Sequence, residues 1–433
     1  MTPIITTVVL LLAGFLALGV WVSLSLFAVG IGALSIFRDL PVDRVLAQSL
    51  WNSTTGKELL ALPLFILMAE ILFRTRLAEK LFDGLAPWAA NLPGRMAHVN
   101  VLGCALFAAV SGSSAATTVT VGRITLKELL ARGYDKRLLL GSLAGAGTLG
   151  FLIPPSVIMI IYGVLAEQSI LRLFLAGVVP GIALAACYMV YIAVWSRLRP
   201  ELMPDDARRF TWAERLRGLL ELTPVMLLII FVLGSMYGGI ATPTEGAAIG
   251  VLGALIVSGA QRTLTLASLG EALMASVRTT SMIGLIIAGA VFLSVAMGYL
   301  GIPRFVASAV AAMDLSPIAL ILLLLVIYVL LGCVLEGLSI IVMTLPITLP
   351  LVVMAGFDPI WFGVFLILVV ELAQITPPVG FNLFVIQGIT GEKLSYIAYA
   401  TFPFFLITLA FTIFIVFVPE LVLFLPENVS LRR

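Results

Sequence analysis

The chain has 433 residues, 61% of them hydrophobic and only 11% charged. A soluble domain carries about 25% charged residues, so the composition excludes a large soluble core and indicates a polytopic helical membrane protein. The net charge of +2 gives no sign of a nucleic-acid partner, and none is expected.

Met1 to Phe37 contains no charged side chain. No basic residue precedes Arg38, so a signal peptide's basic region is missing. Apolar runs predict helices over 4–19, 21–36 and 58–73, then two short arms over 97–110 and 114–124. A long apolar stretch over 139–166 carries Pro154-Pro155 at its middle, and a helix over 172–195 follows. After a polar segment the pattern repeats. Helices are predicted over 222–238, 243–260 and 279–299, arms over 318–334 and 339–352, a stretch over 360–388 broken at Pro377-Pro378, and a helix over 398–418. Leu77–Leu92 and Leu264–Val277 are less apolar and amphipathic, as expected of arm helices lying along a membrane surface. A plain loop explains the second equally well.

The spacing from Pro154-Pro155 to Pro377-Pro378 is the same as that from Pro180 to Pro403. A proline pair removes helix N–H donors and pushes the preceding residue out of the α region. In lipid such a break survives only where it lines a cavity or a site. Broken helices in matching positions of two halves point to a transporter binding site. Each pair of arms is too short to span and meets at a small polar cluster: Ser111-Gly112-Ser113-Ser114 in the first half, Glu336-Gly337-Leu338-Ser339 in the second. Short apolar segments of this kind are more often re-entrant than spanning. The fold class is therefore an all-α membrane protein of two inverted repeats, over 1–196 and 218–433, joined by a cytoplasmic linker over 197–217. Each repeat has five crossings and one re-entrant hairpin.

Charge supports an orientation. With the first hairpin entering from the cytoplasm, all but seven of the 25 Lys and Arg residues face inside; the exceptions are Arg38, Arg44, Lys57, Arg172, Arg304, Arg432 and Arg433. The positive-inside rule then places both termini outside.

The tips and breaks carry the candidate chemistry. Pro155 and Pro378 are placed to open the second half of each broken helix, and Ser114 and Ser339 to cap the second arm of each hairpin. Four half-helix N-termini would point at one central region, where their partial positive charge attracts anions. The opposing carbonyls suit a hard cation such as sodium. No Lys or Arg lies between Arg137 and Arg172, or between Arg304 and Lys393. A bound anion would thus be offset by dipoles, hydroxyls and a co-bound cation, which argues for cation-coupled transport of a carboxylate.

Of the intramembrane acids, Glu336 at a tip serves equally as a site residue or a cap. Glu371 serves equally in coupling or in an interhelical hydrogen bond, and Thr148 is its repeat counterpart. Glu70 is an acid in an apolar run. Glu245 reads as a helix-start residue and His98 as structural. Of the glycines before the first break, Gly141, Gly145 and Gly147 read as packing positions, whereas the Gly150 carbonyl could face a cation. Cys104, Cys187 and Cys333 stand singly and suggest neither a disulfide framework nor a metal centre.

Several segments together resemble the large membrane subunit of the tripartite ATP-independent periplasmic (TRAP) transporters, the DctM-like family. They are SGSSAATT at 111–118, RGYD at 132–135, AGTLGFLIPPSVIMIIYG at 146–163, LFLAGVVPG at 173–181, ATPTEGAAIG at 241–250 and ITPPVGFNLFV at 375–385. The resemblance implies an elevator-type carrier in a bacterial inner membrane, driven by a sodium gradient and without an organic cofactor. It implies two partners, a small four-helix membrane subunit and a soluble periplasmic substrate-binding protein, and substrates that are organic acids, including C4-dicarboxylates and sialic acids. It places a first sodium site at Ser111, Ser113, Ser114, Gly150, Ile153 and Pro154. A second, pseudo-symmetric one falls at Gly337, Ala373, Thr376 and Pro377. The acid common at the second tip, usually Asp, is here Glu336. On this reading the substrate-binding candidates are Ser113, Ser114, Thr117, Pro155, Glu336, Ser339, Pro378 and Asn382. One alternative is a stand-alone sodium-coupled dicarboxylate carrier. Another is an intramembrane enzyme, against which stand a single histidine and the lack of a Gly-x-Gly-Asp motif.

Overall fold

The structure, a computed structural model, describes residues 1–204 and 210–429. Arg208, Arg209, Arg432 and Arg433 of the charge count lie outside the described residues. The described chain is helical throughout, without a strand.

The first half runs α1 (Thr2–Ala17), α2 (Val22–Phe37), α3 (Val42–Thr54), α4 (Ala61–Phe73), α5 (Leu77–Ala89), α6 (His98–Ser111), α7 (Ser114–Ala131), α8 (Lys136–Leu152), α9 (Val157–Leu165) and α10 (Ile170–Leu198). The second half runs α11 (Trp212–Tyr237), α12 (Pro243–Ala260), α13 (Leu266–Leu300), α14 (Ile302–Ala311), α15 (Pro317–Gly332), α16 (Gly337–Met354), α17 (Pro359–Gln374), α18 (Phe381–Thr390), α19 (Leu394–Phe417) and α20 (Glu420–Asn428). Among the described residues six helices are long and apolar enough to cross a membrane, or seven if α8 and α9, bent by 42° at their break, form one span.

Local chemistry sets these boundaries. Thr211 with Glu214 and Thr242 with Glu245 form capping boxes that open α11 and α12, satisfying N–H groups that a helix start leaves unpaired. The carboxylates of Asp135 and Asp358 each accept two backbone N–H groups at the starts of α8 and α17. These two acids are separated by the same spacing as the two proline pairs. The first residues of α7 and α8, Ser114 and Lys136, stand at that spacing from those of α16 and α17, Gly337 and Pro359. For α9 with α18 and α10 with α19 the spacing is longer by a single position.

Two predicted boundaries change. Leu264–Val277 is not a separate surface helix: from Leu266 it belongs to α13, which continues unbroken to Leu300. Thr265 and Ser268 box its start, and no proline interrupts it, so the polar Arg278-Thr279-Thr280 stretch does not end it. At 1.5 Å per residue its 35 residues reach about 52 Å, beyond a hydrocarbon core of about 30 Å. The second change is that α3, α14 and α20 are helices that hydropathy did not pick out. The amphipathic Leu77–Leu92 segment does contain a helix, α5, whose apolar side is buried.

The core is built on two helices. Every residue of α8 from Leu138 to Gly150 is buried, as is every residue of α17 from Ile360 to Gln374. Around them pack α6, α7, α10, α15, α16 and α19. The Tyr162 hydroxyl of α9 donates to the carbonyl of Pro359 at 2.6 Å, and Tyr188 of α10 lies 2.6 Å from the Thr408 hydroxyl of α19. A second group, α2, α4, α12 and α13, packs together, with α11 against α12 and α5. Its outer helices expose Leu, Ile and Phe side chains such as Ile230, Phe231, Leu252 and Ile256, as surfaces that face lipid do.

Candidate functional site

The tip of the first hairpin is fastened to the first break. Gly112 ends α6 in the left-handed region at φ 60°, a conformation that suits glycine. Its carbonyl accepts the Val157 N–H at 3.2 Å. A Cβ on Gly112 would meet the Pro155 carbonyl oxygen at 2.7 Å, and a Cβ on Gly150 would lie 2.6 Å from the Ser113 carbonyl. These two glycines let three backbone segments touch: the tip, the end of α8 and the break.

The hydroxyls at this tip are arranged around the Ser113 carbonyl. Thr117 Oγ1 donates to it at 2.8 Å, and the Ser111 hydroxyl lies 2.7 Å from Thr117 Oγ1. Ser114 Oγ accepts a hydrogen bond from Asn382 Nδ2 at 2.8 Å. Asn382 belongs to α18, so the second broken segment reaches across to the first tip. Asn382 and Ser114 are fully buried, and the amide oxygen of Asn382 has no hydrogen-bond partner. The site therefore offers oxygen ligands, with one buried acceptor unmatched. That chemistry fits a hard cation.

Several roles shift by a few residues. Ser114 was expected to cap the second arm; Ser113 does so, accepting the Ala116 N–H. Pro155 does not open the second half-helix. It lies buried in the break beside Pro154, and Ser156, which the sequence reading passed over, caps α9 through the Met159 N–H. Ser156 is extended, as an N-cap residue is, so the helix restarts at Val157. Ile153 ends α8 in extended conformation. Both Pro-Pro bonds, 154–155 and 377–378, are cis.

The second tip has different chemistry. Ser339 and Glu336 were both candidates for its cap, and Glu336 takes the role. One carboxylate oxygen accepts the Leu338 N–H at 3.1 Å, and the other accepts the Ser339 N–H at 3.0 Å and the Ser339 hydroxyl at 3.1 Å. An ionised cap neutralises the helix N-terminus it sits on. Gly337 and Ala373 are buried where α16 packs on α17, and Thr376 Oγ1 donates to the Leu372 carbonyl at 2.6 Å. Pro377, Pro378 and Val379 are exposed. Pro378 does not open a helix here either, since α18 begins at Phe381 after Gly380.

A cavity of about 250 Å³ lies between the tips and helices α4 and α13. Ser111, Gly112, Ser113 and Ala116 of the first tip line it, with Phe151 and Val157 from beside the break and Glu336 and Leu338 from the second tip. The opposite wall is Ile66, Glu70 and Phe73 of α4 with Thr279 and Ile283 of α13. Thr279 was not singled out in the sequence; it is one of the polar Arg278-Thr279-Thr280 residues of α13. No basic side chain lines the cavity among the described residues. Glu70 is held by Arg74, whose Nη1 donates to its carboxylate at 2.7 Å and to its carbonyl at 2.6 Å.

Three further candidates lie outside the cavity lining. Glu371 is wholly buried and faces Thr148, its counterpart in the first half. The Thr148 hydroxyl lies 2.8 Å from the Gly145 carbonyl, and neither carboxyl oxygen of Glu371 has a close hydrogen-bond partner. His98 Nε2 lies 2.6 Å from the Pro93 carbonyl, closing the turn before α6. Glu245 closes the capping box of α12.

Comparison with known proteins agrees with this architecture. The family model described as "Tripartite ATP-independent periplasmic transporter, DctM component" matches residues 9–421. The C4-dicarboxylate TRAP transporter large permease protein DctM of Pseudomonas aeruginosa is 35% identical over 92% of this chain and 92% of its own length. The protein of the same name from Rhodobacter capsulatus is 32% identical over 96% and 97%. The 2,3-diketo-L-gulonate TRAP transporter large permease protein of Escherichia coli is 30% identical over 95% and 96%. Among solved structures, the YdaH transporter of Alcanivorax borkumensis superposes with a TM-score of 0.61 at 14% identity, covering 86% of each chain; it shares the fold. A family match over nearly the whole length, on a multi-pass helical chain with paired tips and breaks, leads to one conclusion: the chain belongs to the DctM family, the large permease subunits of TRAP transporters.

Proposed function

We propose that this chain moves an organic carboxylate across the bacterial inner membrane, driven by a sodium gradient. The observation that supports this most is the meeting of the first tip with the first break. Ser111, Ser113, Ser114, Gly150 and Asn382 gather there and present oxygen ligands without a basic side chain among them. A sodium ion held by Ser111, Ser113, Ser114, Gly150, Ile153 and Pro154 would supply the charge that a carboxylate needs. A second ion would use Gly337, Ala373, Thr376 and Pro377. The carboxylate would occupy the cavity beside the first tip, with Thr117, Asn382, Glu336 and Ser339 behind it. Relatives are named for C4-dicarboxylates and for a gulonate, which are carboxylates.

On this reading residues 1–196 and 218–433 are the two inverted repeats, both termini are periplasmic, and the hairpins with α8, α9, α17 and α18 travel as one body past α4, α12 and α13. Membership of the family implies a small membrane subunit and a periplasmic binding protein that hands over the substrate.

The test is uptake into proteoliposomes holding this chain and its small subunit, with and without an inward sodium gradient and with and without the binding protein. Uptake that needs both is expected. Sodium-driven uptake without the binding protein would indicate a stand-alone carrier, and uptake indifferent to sodium and to a proton gradient would end the coupling proposal.

A further inference from the structure

The cavity presents a mismatch. It faces Glu70 from the scaffold and Glu336 from the second tip, and none of its lining side chains is basic. Such a wall repels a carboxylate placed in it. The charge of Glu336 is taken up by the N–H groups of Leu338 and Ser339. That of Glu70 is taken up by Arg74, one turn further along α4 at the helix end.

Arg74 is not fully committed. Its ion pair with Glu70 is short, at 2.7 Å, but its contact with Glu271 of α13 is long, at 3.7 Å. The side chain keeps 26% of its surface exposed and Glu70 keeps 20%. A guanidinium is always charged and presents donors in a planar fork that fits a carboxylate with two parallel bonds. Here one nitrogen, Nη1, makes both contacts to Glu70, the carboxylate and the backbone carbonyl. Arg74 itself lines a separate crevice between α4, α12 and α13; it stands directly behind Glu70, which does line the cavity, so a substrate carboxylate reaches the guanidinium only by taking the place of Glu70.

We propose that Arg74 is a substrate-positioning residue on the scaffold. The substrate carboxylate exchanges with Glu70 for the guanidinium when the tips stand opposite this part of α4. Glu70 is the internal competitor: it keeps Arg74 neutralised while the cavity is empty and returns to it as substrate leaves. The inference rests on the reading of the chain as a carboxylate carrier. It adds a basic recognition group, from an element that does not travel with the tips.

Equilibrium binding of radiolabelled succinate and of radiolabelled gluconate to the detergent-solubilised chain with its small subunit, in sodium, tests it. Loss of a charge-assisted hydrogen bond corresponds to a rise of about tenfold in Kd, and that rise is expected for Arg74→Gln. Glu70→Gln removes the competitor and should lower Kd several-fold. Arg74→Lys keeps the charge without the fork and should fall between wild type and Arg74→Gln; it also serves if Arg74→Gln does not fold. Arg76→Gln, two residues on and away from the cavity, should match wild type. A merely structural pair would give Glu70→Gln and Arg74→Gln shifts of the same sign, and that result, or an Arg74→Gln affinity equal to wild type, overturns the proposal. Wild-type protein that binds neither these anions nor radiolabelled sialic acid in sodium would instead remove the carboxylate reading on which it stands.

Discussion

The two hairpin tips occupy equivalent places in the two halves of the chain, yet they are built from different chemistry. The first is capped by a neutral serine and locked to a buried break through the Gly112 carbonyl and the close approach of Gly150 to Ser113. The second is capped by the Glu336 carboxylate, and its break exposes Pro377, Pro378 and Val379. A serine cap leaves most of the partial positive charge of α7 available to a ligand, whereas a carboxylate cap consumes that of α16. The two halves thus agree in where chain elements start and stop, while the residues at the tips divide the work. The first tip presents hydroxyls and a helix N-terminus that no carboxylate neutralises. The second presents acceptor oxygens and a more open backbone.

The largest effect should come from forcing apart the backbone-to-backbone contact at the first tip. Gly150→Val places a branched side chain where a Cβ already meets the Ser113 carbonyl at 2.6 Å. A displacement of about 1 Å at a site can cost about a hundredfold in rate, and uptake should fall by at least that much with the protein still in the membrane. The double change Ser113→Val and Ser114→Val should also abolish uptake, by removing the hydroxyls and the bond to Asn382. Normal uptake in either variant would take the first tip out of the site.

Next comes the break itself. Pro154→Ala with Pro155→Ala restores two N–H donors to the segment between α8 and α9 and lets the helix close. Sodium dependence of uptake should be lost. The same pair of changes at Pro377 and Pro378 should do less, because that break is exposed and is not pinned to its tip. Equal loss of sodium response from both pairs would show that the two breaks are equivalent after all.

Glu336→Ala sharpens the contrast between the caps. Loss of a cap costs about 1 kcal/mol, and the change also removes an acid from the cavity wall. The expected outcome is a small fall in Tm and a several-fold change in the substrate KM with the sodium response intact. Ser113→Ala should instead shift the sodium response. If the two single changes moved the same parameter, the division of labour between the tips would fail.

Much of this was legible in the sequence. Both breaks and their repeat offset follow from the proline pairs, because lipid allows irregular backbone only where protein covers it or it lines a water-filled cavity; the arms were read as too short to span, yet α16 is long and apolar enough to cross. The caps were legible only in type. Ser113 and Ser114 are both good capping residues, and which one takes the role depends on where Gly112 turns the chain. Glu336 precedes Ser339 by three positions, and as a carboxylate it accepts two N–H groups at once. The contact between Asn382 and Ser114, far apart in the chain, has no local signature, since it exists only because α18 packs on α7. Thr279 lines the cavity for the same reason: α13 passes in front of the tips. The continuity of α13 was misread because hydropathy drops across Arg278-Thr279-Thr280, although nothing there breaks a helix.

The smallest effect concerns the arm that carries the first hairpin. Asp83 on α5 is held above the usual carboxylate range, first by partial burial and then by the nearby acids Glu221, Glu128 and Glu79, with Arg132 opposing. A raised folded-state value means that the native protein binds this proton more tightly than the unfolded chain does. Stability from this group is therefore full at low pH and is lost as pH rises through the folded value. Asp83→Asn removes that loss. It should raise Tm slightly at pH 7, and the gain should vanish below about pH 4, where an ordinary Asp is also protonated. Because Lys80 on the same helix pairs with Glu221 of α11 at 2.9 Å, the arm stays seated in the variant and uptake should be unchanged. A Tm that falls at pH 7 would mean that Asp83 is a favourable partner on α5, and the arm would then owe part of its seat to the acid.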